Sequence, residues 1–348
     1  MKKKILLLSK YGVAGPSSRY RFYNYYPYFQ KVGLDIEFKP LFDDDYIKKI
    51  YNNRSFYLFF LQLLAVLKRI IFLLKNYRRY DAFIIEKDMF PFLPLWLEKL
   101  FLNHKPYALD FDDHVAASYQ SSRLKNKILG NKISELVKHS KFTTVGNRWY
   151  FTKFKEGNLI YLPTVIDLDK YPIHNIISKT KTIVWIGSPS TVKYLKLLEP
   201  VFVELSSDID FVLRIIGGEI KLDSRINVEY ISWSAESENR LLAESTIGIM
   251  PLEETEWEKG KCGFKLIQYL ASGIPVVASK LPANEEIITQ DCGFIANDLF
   301  EWKKYLRFLL ENPLIAEEMG VKGRLRVEEY YSYQIWGERY ADMIKSKL

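Results

Sequence analysis

Gly260-Lys261-Cys262-Gly263-Phe264-Lys265-Leu266-Ile267-Gln268-Tyr269-Leu270-Ala271-Ser272-Gly273-Ile274-Pro275-Val276-Val277-Ala278-Ser279 is a glycine loop, a helix, a stop and a buried strand, in that order. The helical spacing of apolar residues after Gly263 ends at Gly273-Ile274-Pro275, and a branched apolar run follows. Such a loop turns free backbone N–H groups outward at a helix N-terminus, which is a ready seat for an anion. Lys261 and Lys265 add full positive charge to it. Lys265, Gln268 and Ser272 stand at i, i+3 and i+7 and share one helix face, leaving Ile267, Leu270 and Ala271 for the sheet. A diphosphate at the loop and a ribose beside Gln268 suit this geometry. Glycine and lysine open many strand–loop–helix units, so the specificity lies in the whole twenty-residue pattern.

Outward from this segment, short apolar runs alternate with helical patterns in both directions. Ile183–Ile186, Phe211–Ile216, Ile247–Met250 and Pro275–Ala278 are expected strands of the second half, and Ile5–Leu8, Phe83–Ile85 and Ala108–Phe111 of the first. The alternation predicts two doubly wound parallel α/β sheets, with ligands at the carboxyl ends of the strands. At 348 residues the chain is long enough for two domains. Two prolines, Pro163 and Pro172, bracket a polar stretch, so the domains are expected at 1–172 and 173–330. The final segment, 331–348, is expected to be a helix with Ile335, Trp336, Tyr340 and Ile344 on one face.

Net charge is +8, unevenly spread. Residues 1–172 hold 29 Lys and Arg against 16 Asp and Glu, and residues 173–348 hold 21 against 26, so the halves carry +13 and −5. The basic half favours phosphate or an anionic lipid surface; no nucleic-acid-binding motif accompanies it, so nucleic acid is not an expected partner. Cys262 and Cys292, the chain's two cysteines, form no C-x-x-C pair, which fits a reducing compartment. The four histidines lack metal-ligand spacing, so no metal is expected. Lys2-Lys3-Lys4 before Ile5–Leu8 imitates a signal peptide, but the apolar run is too short and a first strand is expected instead.

Sixteen of the nineteen residues 56–74 are apolar, broken by Gln62, Lys68 and Arg69. Two adjacent cations would cost about 2.5–3.5 kcal/mol each in a spanning helix. Gln62, Arg69 and Asn76 recur every seven residues, with Lys75, Arg78 and Arg79 at the end. The pattern fits a helix lying in a membrane interface with its cations near lipid phosphates, or else one buried in the first domain.

The signature at 260–279 resembles the donor-binding segment of the family-4-like retaining glycosyltransferases of GT-B fold. That family's pattern has a glutamate, a Phe-Gly-type loop, a second glutamate eight residues on and then Ala-x-Gly-x-Pro-Val-Val. Here Gly260 and Gln268 take the glutamate positions, and Lys261 and Lys265 resemble a lysine-containing subgroup. The likeness continues through Asn284-Glu285-Glu286-Ile287, Cys292-Gly293-Phe294 and Gly323-Arg324 to Tyr331-Ser332-Tyr333, and more loosely in the first half. It implies two Rossmann-like domains with a cleft between them, the last helix returning to the first domain, and a nucleotide-diphosphate sugar as donor, with no cofactor. It further implies transfer of a hexose-type sugar with retention, to a glycan or lipid-linked acceptor, in surface polysaccharide synthesis. The expected location is cytoplasmic, peripheral on the inner face of the membrane. Absence of both glutamates motivates the alternative of an inactive sugar-nucleotide-binding subunit.

The resemblance assigns donor binding to Gly187, Ser188, Ser190 and Thr191 together with Lys261, Gly263, Phe264, Lys265 and Gln268. Ser190 or Thr191 as a helix cap is the bland reading of the first loop. Ile216-Gly217-Gly218 and Ser232-Trp233 resemble turns beside the nucleotide base, although Trp233 equally suits a core. Asp112, Asp113 and His114, at the position of a family histidine, are the candidates for the acceptor hydroxyl, against a plain polar strand end. Gly15 and Arg19, with Arg21, are the candidates for an acceptor or donor phosphate, against surface arginines of no function.

Overall fold

The computed structural model describes residues 3–46, 55–172 and 180–348; His174 lies outside them. Two compact units result, Met1–Thr164 with Trp336–Leu348, and Val165–Ile335. Residues 165–171 go with the second unit because Ile166 N donates to Tyr331 O (2.9 Å) and Tyr333 N to Ile166 O (3.0 Å).

The first unit is a parallel sheet of β1 (Lys4–Leu8), β2 (Asp35–Phe38), β3 (Ala82–Glu86), β4 (Tyr107–Phe111), β5 (Phe142–Val145) and β6 (Leu159–Tyr161), in the order β2-β1-β3-β4-β5-β6. Branched and aromatic side chains alternate to the two faces. Leu6, Leu8, Phe83 and Ile85 enter one core with residues of the helices Ser55–Asn76, Leu95–Leu102, Arg123–Leu129 and Lys132–His139. On the other face Tyr25 and Phe29 meet Tyr340 of the final helix, Tyr333–Lys347, at centroid distances of 4.9 and 5.6 Å. The strand order reverses between β1 and β3, so their carboxyl ends diverge and leave space for a ligand.

The second unit is a parallel sheet of β7 (Thr182–Ile186), β8 (Val212–Ile216), β9 (Val228–Ile231), β10 (Ile247–Met250), β11 (Val276–Ser279) and β12 (Gly293–Ala296), ordered β12-β11-β10-β7-β8-β9. Its reversal falls between β7 and β10. The loop at Gly187 leaves β7, and the loop ending at Gly263 leaves β10, so both donor-loop candidates flank this point.

The apolar segment forms the helix Ser55–Asn76, and Arg69 of its polar stripe points inward rather than toward headgroups, while Gln62 is exposed and Asn76 half-buried. Gln62 Nε2 donates to Tyr46 Oη (2.8 Å) and Asn76 Nδ2 to Phe72 O (2.9 Å). Arg69 is buried and donates to Ser9 O (2.7 Å), Lys39 O (2.9 Å) and Met89 O (3.2 Å), clasping the chain just past β1, β2 and β3. Burial lowers its pKa to about 10. Backbone carbonyls left past the strand ends need donors, and a guanidinium reaches several at once. Eight large apolar side chains of the helix, from Tyr57 to Leu74, are consequently exposed, which excludes the fully buried alternative.

Candidate functional site

In the second unit, the helix Phe264–Ala271 starts from Gly263 in the left-handed region at φ 67°. A Cβ there would lie 2.4 Å from Ile287 Cδ1, so the turn requires glycine. The turn directs Lys265 back toward β7. Its ammonium stands 4.3 Å from the centroid of the Trp185 ring, and a Cβ on Gly187 would meet that ammonium at 2.7 Å. The two loops, 78 residues apart in sequence from 187 to 265, thus meet at one cation. Among the described residues no carboxylate pairs with Lys265, and its pKa is lowered to about 7, by burial first and then by Lys261. Lys261 is half-buried, 5.9 Å from the Trp257 ring centroid. Lys265, which pairs with no carboxylate among the described residues and stands beside a second lysine, makes a site that an anion completes.

Ser188, Ser190 and Thr191 form their own turn. Ser188 Oγ lies 2.8 Å from Ser190 Oγ and 3.4 Å from Thr191 Oγ1, and Thr191 Oγ1 donates to Ser188 O at 3.1 Å. None caps the 3-10 segment Val192–Leu198 with its side chain, so the capping reading of this loop is set aside.

Gln268 is brought to the same helix but turned inward. Its Nε2 donates to Glu238 Oε1 at 2.8 Å, and Glu238 also accepts from Tyr171 Oη and from Trp233 Nε1 (2.5 Å). The amide nitrogen is thereby committed to a carboxylate rather than held open for a ribose. Trp233 is 45% exposed, so the core reading of it does not hold. Glu238 was not legible as a partner of Gln268, thirty residues away. Glu258 is a second carboxylate that escaped notice. It is buried, accepts from Thr255 Oγ1 and Tyr194 Oη, and sits in the Thr-x-x-Glu spacing of a capping box, a signal the sequence did carry. Burial would raise its pKa, but bonds from Thr255 and Tyr194 outweigh that and lower it.

In the first unit, Asp112, Asp113 and His114 follow β4, and the two aspartates meet Lys87, which follows β3. Lys87 Nζ lies 2.9 Å from Asp112 Oδ1 and 3.3 Å from Asp113 Oδ2. Its backbone is left-handed (φ 65°), and its N–H donates to Asp110 O at 2.9 Å; a non-glycine residue held there is strained. Burial opposes the charge on Lys87, yet the two aspartates outweigh it and hold its pKa well above the usual value. Burial pushes Asp112 up to about 6, against the pull of Lys87 and helped by Asp113 and Glu86. Lys10, beside Tyr11, is lowered by burial and then by Lys87. His114 is buried edge-on to Trp149 (4.9 Å) and is held by aromatic packing.

Arg19 remains near the surface of the Gly12–Gly15 loop, with its Nη1 3.5 Å from Val13 O. Arg21 is different: it is fully buried, forks onto Asp110 at 2.9 and 2.5 Å and reaches Leu162 O at 2.6 Å. It ties β4 to the end of β6 and is not available to a phosphate. Since Asp110 is taken by Arg21 and Thr144, Asp110-Phe111-Asp112 does not present two carboxylates to one ligand. A cavity of about 540 Å³, lined partly by His104, Lys105 and His139, opens at the amino ends of β4 and β5, away from these loops.

Residues 180–312 match the protein family described as Glycosyl transferases group 1. A GDP-mannose-dependent monoacylated alpha-(1-6)-phosphatidylinositol monomannoside mannosyltransferase from Corynebacterium glutamicum is 30% identical over 87 residues, 24% of this chain and 23% of that protein. The chain thus matches about a quarter of that relative's length. Sucrose-phosphate synthase from Thermosynechococcus elongatus superposes with a TM-score of 0.72 at 12% identity, over 99% of both chains. HepE of Anabaena, solved in complex with UDP-glucose, superposes at 0.70 and 13% identity, over 99% of this chain and 100% of that one. The architecture is therefore the two-domain, Rossmann-like α/β arrangement of GT-B type.

Proposed function

We propose, from the premise that residues 180–312 form a Glycosyl transferases group 1 domain, that the chain is a glycosyltransferase using a nucleotide-diphosphate sugar. The observation that carries this reading is the unpaired Lys265 ammonium against Gly187 and the Trp185 ring. A donor diphosphate supplies the missing anion, with Lys261 and the hydroxyls of Ser188, Ser190 and Thr191 around it. As the sugar's anomeric bond breaks, charge grows on the diphosphate, and the lysines stabilise it more in the transition state than in the ground state. The departing diphosphate takes the acceptor proton, so the transfer retains configuration and needs no protein nucleophile. Lysines meet the charge, and no metal is assigned to the step.

In this reading Asp112 receives the acceptor hydroxyl, with Asp113 and His114 beside it. Gly15 and Arg19 form the loop for an acceptor phosphate. The sugar is a hexose, in keeping with the mannosyltransferase and UDP-glucose names among the similar proteins. The acceptor is a glycan or a lipid-linked glycan of surface polysaccharide synthesis, met at the cytoplasmic face of a membrane. The internal Gln268–Glu238 bond supports one rival, a sugar-nucleotide-binding subunit without turnover, because no carboxylate replaces the family's pair at 260 and 268. Purified protein incubated with a panel of nucleotide-sugars and a lipid-linked glycan separates the two. Release of nucleoside diphosphate with a glycosylated product supports the enzyme, and saturable binding without release supports the subunit.

A further inference from the structure

The apolar helix Ser55–Asn76 is one of several helices on the same face of the first sheet. Right-handed crossovers from β2 to β3, β3 to β4 and β4 to β5 all run in one direction across the sheet and put their helices on one side; the shared core that includes Leu73, Phe101 and Leu129 agrees. Three of these helices expose apolar side chains in helical register. Ser55–Asn76 presents Phe59, Leu63, Leu67 and Leu74; Leu95–Leu102 presents Trp96 (63% exposed) and Leu100; and Arg123–Leu129 presents Leu124 (69%) and Ile128. Scattered apolar residues on a surface are ordinary, but a row on each of three neighbouring helices is not.

The charges on the same helices have one sign. Lys68, Lys75, Arg123, Lys125 and Lys127 are exposed. The three segments hold one acid, Glu98, which is buried against Lys132 Nζ at 2.6 Å. Burial of Glu98 leaves no exposed acid on these three segments to repel an anionic surface.

We infer that these three helices together form the footprint by which the first unit lies on an anionic lipid bilayer, with Trp96, Leu100, Leu124 and Ile128 entering the interface beside the Ser55–Asn76 helix. This rests on the membrane location proposed above and extends it from one helix to a face. Helix Tyr57–Arg79 is long and apolar enough to cross a membrane, but its Arg69 side is fastened to the sheet, so it lies along the surface rather than across the bilayer. Interfacial seating of this kind buries one face of each helix and places flanking lysines among headgroups.

Flotation of the full chain with vesicles of phosphatidylcholine, alone or with one-third phosphatidylglycerol, tests this. Binding is expected to the anionic vesicles only, to fall with added salt, and to weaken at least about tenfold in Trp96→Glu/Leu100→Glu and in Leu124→Glu/Ile128→Glu as well as in Phe59→Glu/Leu63→Glu. Circular dichroism and unchanged nucleotide affinity check that each variant is folded. Loss of binding in the Phe59/Leu63 pair alone overturns the three-helix footprint and leaves the membrane reading standing; no flotation of the wild type overturns both. Retention on vesicles after alkaline carbonate would show a spanning helix, and a dimer dissolved by the Trp96 pair without change in flotation would show a protein interface; either result overturns the footprint.

Discussion

Lys265 makes donor binding depend on pH in a calculable way. Its pKa of about 7 in the empty site follows from burial and from Lys261. A bound diphosphate raises that pKa, so binding takes up a proton. Affinity is therefore fullest below pH 7 and declines as pH rises through and above 7, until the pKa of the bound state is reached. With a bound pKa above 10, the dissociation constant of a nucleotide-sugar should grow about fivefold from pH 7 to 8 and about ninefold from 8 to 9. A nucleotide-sugar is the right probe because its diphosphate, esterified at both ends, has no proton of its own to lose there. Calorimetry at pH 7 in two buffers of different ionisation enthalpy should count about half a proton taken up per donor bound. Lys265→Met removes a charge-assisted contact worth about 1.5–3 kcal/mol, or roughly 10- to 150-fold in affinity at pH 6.5, and should abolish both the slope and the proton uptake. Affinity flat from pH 6 to 9 with no proton exchanged in the wild type would refute the placement of the diphosphate at Lys265.

Two other sites give further tests. Gln268→Glu, which restores the family residue, puts a second carboxylate about 2.8 Å from Glu238 and should destabilise the second unit by about 2–3 kcal/mol at pH 7. That penalty should shrink as pH falls and the pair comes to share a proton, and Glu238→Gln in the same chain should restore stability in urea melts. Transfer by the wild type should rise with pH through about 6 as Asp112 ionises. Lys10, Glu86, Lys87 and Asp113 all face that group, and Lys87→Met, which removes its nearest cation, should move the rise to higher pH; an unmoved profile would count against Asp112 as the group that receives the acceptor hydroxyl.

Much of the architecture was legible because buried parallel strands are continuous apolar runs. All seven expected strands are present, each within one residue of its expected ends at both sides. Four of the strands that escaped notice, β2, β6, β9 and β12, are sheet edges. Edge strands are covered less fully, so Asp35–Phe38 and Val228–Ile231 mix charge into the run and lose the signal. The fifth, β5, is central, but its Thr143 and Thr144 looked polar; Thr144 is buried because it donates to Asp110. Site chemistry divides in the same manner. Lys265 was legible from its helix register, whereas its pairing with Gly187 depends on the strand order. The carboxylates at Glu238 and Lys87's left-handed turn depend on contacts between distant segments, which no local spacing reports. Arg69 in the polar stripe of the apolar helix was expected toward headgroups and instead meets the sheet, since periodicity gives a stripe without saying which side meets the sheet.

A crystal structure with a bound nucleoside diphosphate tests the central claim most directly. Diphosphate density is expected within hydrogen-bond distance of Lys265 Nζ, beside Gly187 at the carboxyl end of β7. Density at another place, with Lys265 still over the Trp185 ring and no anion beside it, would contradict it.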